Sequence, residues 1–164
     1  MKIANRMENL SPSVTLAITA LARELKAQGK DILSFSAGEP DFDTPEIIKQ
    51  AAIKAINNGH TKYTAVEGII ATKQAIINKL KKDHGLEYKL DGIVISNGAK
   101  HSLFNLFQVL IEKGDEVIIP APYWVTYPEQ VKFSDGIPVF IETDDSTDFK
   151  ITAEQLKAAI TPKT

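Results

Sequence analysis

Hydrophobic residues recur every three or four positions through roughly the first 90 residues, which is typical of amphipathic helices. Ser11-Pro12 has the form of an N-cap followed by a proline at the first helical position, and Gly29 has the form of a helix stop. Two further apolar stripes, within residues 47–56 and 69–80, predict a second helix that starts at Thr44-Pro45-Glu46 and a third helix. The apolar stripe of the first predicted helix, between Ser11-Pro12 and Gly29, consists of Val14, Ala17, Ile18, Leu21 and Leu25.

Short apolar, β-branched runs predict strands. A helical stripe over residues 103–110 separates two of these runs, and this order predicts that Ile93–Ser96 and Val117–Pro120 form a parallel pair. A helix to about Phe133 precedes the next strand, and Thr152 to Gln155 has capping-box form and opens a last helix. The sequence therefore predicts an α/β fold with a mostly helical first half. The predicted strands are residues 32–35, 93–96, 117–120 and 137–141.

The turn Ser96-Asn97-Gly98, between a strand and a helix, is a candidate anion site. The first N–H groups of a helix lack intrahelical partners, and the helix dipole adds partial positive charge there. Gly98 lets a ligand approach the backbone closely, and Lys100 adds a full positive charge in the first turn. Taken alone, these residues fit an ordinary strand-to-helix turn better than a binding site.

Composition narrows the class of protein. The 164 residues are 43% hydrophobic and 24% charged, as in globular proteins, and the net charge of −2 argues against nucleic-acid or membrane partners. The absence of cysteine excludes disulfides and thiolate metal sites, and His60, His84 and His101 lack ligand spacing, so no metal site is predicted. Met1 to Ser13 has no apolar signal region, which predicts a cytoplasmic protein.

Three other positions could contribute to a site. Trp124, the only tryptophan, follows a strand and could stack on a planar ring, although its sequence context alone favours a role as a cap on the core. Gly38 lies in an irregular loop that could bring its backbone against a ligand, or the loop could be a solvated turn. Tyr63 could reach a phosphate or simply pack. The loop around Gly38 also carries three carboxylates that fit a solvated face better than acid–base chemistry, namely Glu39, Asp41 and Asp43.

Four ordered motifs resemble the bacterial branch of the aspartate aminotransferase family, which are fold-type I enzymes that depend on pyridoxal 5'-phosphate. They are SAGEPDFDTPE (Ser36–Glu46), TKYTAVEG (Thr61–Gly68), NGAKHSLFNLF (Asn97–Phe107) and GDEVIIPAPYWVTYPE (Gly114–Glu129). The resemblance implies the N-terminal part of that fold, with an incomplete parallel-type sheet flanked by helices. It implies that residues 1–45 begin the small domain and that residues 46–164 begin the large cofactor-binding domain.

The resemblance assigns a role to each matching position. Gly98, Ala99 and Lys100 match the loop that holds the cofactor phosphate, and Trp124 matches the residue that stacks on the pyridine ring and borders the substrate. Gly38 would contact the substrate through its backbone. Tyr63 matches a tyrosine that reaches the phosphate from the neighbouring subunit, which implies a homodimer with shared sites. The implied reaction transfers an amino group between an amino acid, expected to be aspartate, and a 2-oxo acid.

The chain also departs from the family pattern. Ala99 stands where a second glycine or a small hydroxyl residue is common, and Val66-Glu67 replaces a small or proline-containing pair. The Schiff-base lysine of the family would lie beyond Thr164, so no catalytic lysine is assigned and we expect the 164-residue chain alone to be inactive. The alternative is a non-catalytic phosphate- or nucleotide-binding α/β module.

The resemblance also bears on strand pairing. It implies that Ile93–Ser96 lies apart from Val117–Pro120 and Ile137–Ile141, with the intervening strands supplied by sequence beyond Thr164. Because an unpaired strand leaves backbone polar groups without partners, we expect one of three outcomes. Either the missing part is present as a separate chain, or Ile93–Ser96 pairs anew beside Val117–Pro120, or two copies exchange strands.

Overall fold

A computed structural model describes residues 2–164 and contains six α-helices and two β-strands within that range. The segment that ends at Gln28 forms one compact unit with Asn97–Thr164, and Gly29–Ser96 forms a second. The helices are α1 (Val14–Ala27), α2 (Glu46–Asn57), α3 (Ile70–His84), α4 (Ala99–Leu110), α5 (Thr126–Phe133) and α6 (Ala153–Ala159). The strands are β1 (Glu116–Pro120) and β2 (Ile137–Ile141), and short 3-10 turns occupy Asn5–Met7, Leu90–Gly92 and Asp145–Thr147.

The first unit is built on a parallel pair of strands joined by α5. The pair β1–β2 runs in register from Glu116 opposite Ile137 to Pro120 opposite Ile141. Its core lies where α5 covers the strands, and Val131 of α5 is fully buried there. Phe104 of α4 packs against α5, which places α4 beside the helix that follows β1.

The N-terminal segment of the same unit is attached to α5. The guanidinium of Arg6 lies 5.6 Å from the centre of the Phe133 ring, and the N–H of Ser11 donates to Glu129 Oε2 at 2.8 Å. The N-cap of α1 is Ser13, whose Oγ accepts from the Leu16 N–H, so the predicted start at Ser11-Pro12 is wrong by two residues. Both serines have a side chain that can cap a helix, and the sequence alone did not distinguish them.

The second unit contains α2, α3 and the segment up to Ser96. The N–H of Ile95 donates to the carbonyl of Glu67 at 3.0 Å. A Cβ at Gly68 would lie 2.6 Å from Ile95 Cδ1, so only glycine permits this approach. Lys73 of α3 is 5% exposed, and its Nζ lies 3.8 Å from Glu67 Oε1. Glu67 therefore joins α3 to the segment that leads toward residue 96.

Two predicted strands are not strands in the structure. Residues 32–35 are irregular and Phe35 is 95% exposed, so this apolar run has no sheet to join. Ile93–Ser96 is also outside any strand, and within the described residues β1 pairs with β2 alone. The predicted parallel pair of Ile93–Ser96 with Val117–Pro120, and the proposed re-pairing of these segments, are therefore wrong. The physical reason is that the backbone of Ile95 bonds to Glu67 instead.

Other expectations are confirmed. The strand at 137–141 and the end of α5 at Phe133 fall where the sequence predicted. Thr152 and Gln155 form a capping box with both reciprocal bonds in place. Among the six helices, none combines the length and the apolar character that a crossing of the bilayer demands, a statement that covers residues 2–164.

Candidate functional site

The candidate anion site centres on Gly98, the N-cap of α4. Gly98 has φ of 82° and ψ of 168°, a backbone conformation open essentially to glycine alone. No side chain caps this helix end, and the first helical N–H groups with a backbone acceptor are those of His101 and Ser102, both onto the Gly98 carbonyl. The start of α4 therefore presents uncapped N–H donors and the positive end of a helix dipole.

The turn before Gly98 is closed by a side chain. The N–H of Asn97 donates to Nδ1 of His101 at 3.1 Å. This bond ties the residue before the N-cap to the first turn of α4, and so fixes the entry of the chain into the helix.

The structure brings the predicted anion turn and the predicted aromatic platform together. Lys100 Nζ lies 5.0 Å from the centre of the Trp124 ring. Trp124 is 46% exposed, so it does not cap the core. Both border an open groove of about 350 Å³, lined by Asn97, Gly98, Ala99, Lys100, Trp124 and Tyr127.

Local structure explains this convergence. Trp124 follows β1, and its carbonyl accepts from the N–H of Tyr127 in the first turn of α5 at 3.0 Å. Gln130, one turn further, donates from Nε2 to the carbonyl of Lys100 at 2.8 Å. This bond and the shared lining of the groove place the starts of α4 and α5 at one side of this unit.

Two further residues of this region had no role predicted from the sequence. Tyr127 lines the groove, and its spacing of one helical turn from Trp124 was a usable signal. Gln130 carried no comparable signal, because nothing in its neighbourhood distinguishes it from an ordinary helical surface residue.

Gly38 and Tyr63 belong to the second unit. Tyr63 is fully exposed, and Gly38 lies in an exposed irregular loop with no atom within 4 Å of where a Cβ would stand. Their predicted roles in substrate and phosphate binding stay predictions.

A second groove of about 490 Å³ lies between the N-terminal segment and α5. One wall is the stacked pair Tyr123 and Phe140, whose ring centres are 4.9 Å apart. At its polar side Glu129 receives the Ser11 N–H and the ammonium of Lys132 at 3.0 Å. Burial raises the pKa of Glu129, but these two partners outweigh burial and hold its pKa below the ordinary value.

The first groove offers two chemical functions side by side. A phosphate suits the α4 terminus, because uncapped N–H donors and the Lys100 ammonium both favour a dianion. The exposed indole face of Trp124 suits a flat aromatic ring. A molecule that carries a phosphate on a planar ring fits both.

Comparison with known proteins agrees with this chemistry. The family model of aminotransferases of class I and II matches residues 30–164. The chain is 57% identical over 164 residues to an aspartate aminotransferase of Geobacillus stearothermophilus, and the match covers 100% of this chain and 42% of that protein. It is 56% identical to an aspartate/prephenate aminotransferase of Nitrosomonas europaea, over 100% of this chain and 41% of the relative. The chain thus spans less than half the length of these relatives.

Solved structures give the same result. The aspartate aminotransferase from Rhizobium meliloti superposes with a TM-score of 0.94 and 47% identity over 99% of this chain and 41% of that one. The enzyme from Thermus thermophilus with maleate gives a TM-score of 0.95 and 42% identity, over 100% of this chain and 43% of the other. The predicted aspartate aminotransferase-like fold is therefore confirmed, and the chain belongs to the family of class I and II aminotransferases.

Proposed function

We propose that the protein to which this chain belongs is a pyridoxal-phosphate-dependent aminotransferase that moves an amino group between an amino acid and a 2-oxo acid. The observation that carries the proposal is the groove in which Gly98, Lys100 and Trp124 meet. Its donors match a phosphate and its indole matches a pyridine ring. The cofactor, when bound, supplies the electron sink for the reaction.

The residues of the groove have distinct tasks in this proposal. The backbone of Gly98 and Ala99 at the α4 terminus holds the cofactor phosphate, and the ammonium of Lys100 neutralises part of its charge. Ala99 has no hydroxyl, so it contributes through its backbone alone. Trp124 packs on the cofactor ring, borders the substrate and excludes water from one ring face.

Aspartate is the amino donor that we propose. Relatives that are more than half identical to this chain over the aligned residues are named aspartate and aspartate/prephenate aminotransferases, and a structural neighbour contains maleate, a dicarboxylate. Gly38 contacts the substrate through its backbone in this proposal.

The proposed assembly is a homodimer with shared sites, in which Tyr63 reaches the phosphate of the neighbouring subunit. The full exposure of Tyr63 supports a role outside its own unit. The proposal also places residues 1–45 in the small domain and residues 46–164 in the large domain. It further includes a cytoplasmic location. Limited proteolysis and cell fractionation test these two points.

The deciding experiment uses the complete protein. Spectroscopic titration of the cofactor-free form should show saturable binding of pyridoxal 5'-phosphate. In a separate kinetic assay, the cofactor-loaded form should turn over aspartate with 2-oxoglutarate. Lys100→Met should weaken cofactor binding by roughly tenfold, the value of one charge-assisted hydrogen bond. Lys113→Met, at an exposed lysine just after α4, is the matched control and should bind normally. Phosphate binding without turnover in the complete protein would instead support the non-catalytic module.

A further inference from the structure

Gln130 links the two sides of the candidate site. It lies on α5, one turn beyond Tyr127, and is 9% exposed. Its Nε2 donates to the Lys100 carbonyl at 2.8 Å across the interface between α4 and α5. Since a carbonyl can only accept, this bond fixes the orientation of the amide and leaves Oε1 pointing the other way.

The other half of the amide lacks a matching partner. Oε1 of Gln130 is buried and has no hydrogen-bond partner among the described residues 2–164. A buried acceptor without a partner costs folding free energy, and an apolar side chain of similar shape would avoid that cost. Stability alone therefore gives a poor account of a glutamine at this position.

The bond made by Nε2 acts where the phosphate would be held. The Lys100 carbonyl belongs to the first turn of α4, whose N–H groups are the proposed phosphate donors. The backbone of Gln130 is itself tied at the far end of α5, because the hydroxyl of Ser134 donates to its carbonyl at 3.1 Å. The start of α4 is thus attached to the helix that begins just after Trp124.

We infer that Gln130 is a positioning residue: its side-chain amide sets the first turn of α4 relative to α5, and thereby aligns the phosphate donors with the Trp124 platform. This inference rests on the proposed function. It concerns the phosphate end of the cofactor, because Gln130 acts through the Lys100 carbonyl and not through the ring.

The test compares two ligands in the complete, cofactor-free protein. Dissociation constants of pyridoxal 5'-phosphate and of pyridoxal, which lacks the phosphate, are measured for the wild type, Gln130→Met and Gln130→Glu. Gln130→Met should weaken the phosphorylated ligand by roughly fivefold, the effect of one neutral hydrogen bond, and pyridoxal by less than about twofold. Its melting temperature should change little, because the loss of the bond to the Lys100 carbonyl and the removal of the unpartnered oxygen have opposite effects on stability. Gln130→Glu places a carboxylate against the Lys100 carbonyl. It should weaken binding of the phosphorylated ligand at least as much as Gln130→Met does, again with a smaller effect on pyridoxal.

Gln108→Met is the matched control. Gln108 also joins α4 to the end of α5, by a bond from its Nε2 to Ser134 Oγ at 2.6 Å, but it lies two turns away from Lys100. It should leave the ratio of the two dissociation constants unchanged.

The outcomes separate the two ideas. Equal weakening of both ligands, or no weakening, in the Gln130 variants overturns the positioning role and leaves the proposed function intact. If Gln130→Met does not fold, the ligand ratio of Gln130→Glu decides, and failure of both variants to fold makes Gln130 structural and overturns the inference. A wild type that binds the two ligands equally overturns the proposed phosphate site and the inference with it.

Discussion

Lys100 Nζ lies 5.0 Å from the centre of the Trp124 ring, within the range of a cation–π interaction. Lys100 occupies the first turn of α4, where the helix dipole disfavours a positive charge. The negative face of the indole offsets part of that penalty. The pair therefore explains how a cation can be held at the positive end of a helix before any anion arrives.

Trp124 provides the first prediction. In the complete protein, Trp124→Ala should cost roughly 1–3 kcal/mol of cofactor or transition-state stabilisation, because both the stacking surface and the partner of Lys100 are lost. Trp124→Phe should recover part of the loss, since it keeps an aromatic face. Cofactor titration and steady-state kinetics measure both effects. Small and equal effects of the two changes would show that Trp124 is not a platform.

Gly98 provides a prediction about stability. Its positive φ should make Gly98→Ala cost about 1–3 kcal/mol of unfolding free energy, although no atom lies within 4 Å of the added Cβ. Gly38→Ala is the matched control, because Gly38 has equally open surroundings but no positive φ. Chemical denaturation of both variants gives the comparison. An equal loss for both glycines would refute the conformational explanation.

Lys73 and Glu67 should respond unequally to substitution. Glu67→Gln leaves the buried Lys73 ammonium without its carboxylate and should destabilise the protein by about 1–3 kcal/mol. Lys73→Met removes the buried charge itself and should cost less, or nothing. Glu87→Gln, which breaks the exposed ion pair with Lys81, is the control and should change little. The reverse order of Glu67→Gln and Lys73→Met in denaturation experiments would contradict this account.

Glu129 makes the attachment of the N-terminal segment dependent on pH. Its folded-state pKa is lower than its ordinary value of 4.5, so its stabilising effect is present above that value and is lost as pH falls through the lowered pKa. The wild type should therefore exceed Glu129→Gln in unfolding free energy at neutral pH, and the difference should shrink as the pH falls below 4.5. Glu112→Gln, at an exposed carboxylate, gives the baseline. A difference that does not change with pH would exclude this electrostatic role.

Tyr63 tests the shared site. In hybrid dimers of an inactive Tyr63 variant with a variant that lacks the Schiff-base lysine expected beyond Thr164, one site carries both defects and the other carries neither. Mixing equal amounts of the two variants under subunit-exchange conditions should then restore about a quarter of the wild-type activity. Activity that stays at the sum of the two parents would place Tyr63 in the site of its own subunit.

The sequence predicted elements with strong local signals and failed where a partner decides the outcome. The capping box at Thr152 and the strand at 137–141 depend on neighbouring residues, and both were found. Ile93–Ser96 has an equally apolar sequence, but a run becomes a strand only beside another strand, and its Ile95 bonds to Glu67 instead. Local propensity cannot report such non-local competition.

Most of the candidate site was predictable because its residues carry strong local signals. Gly98, Lys100 and Trp124 carry distinctive chemistry at the ends of predicted elements, and they line one groove in the structure. Gln130 was not predictable, because its importance arises from the packing of α4 on α5 rather than from its own sequence context.

The link between β1 and β2 has a consequence for evolution. Residues 121–136 contain Trp124, Tyr127, Glu129 and Gln130, and the strands on both sides are locked in register. A residue inserted or deleted within α5 would turn every later helical position by about 100° and move these side chains off their partners. A single substitution in this stretch removes the contacts of one side chain, whereas a change in its length displaces several side chains at once. Homologous proteins should therefore differ in the length of the loop after β2, around residues 143–152, and keep the number of residues between β1 and β2 constant.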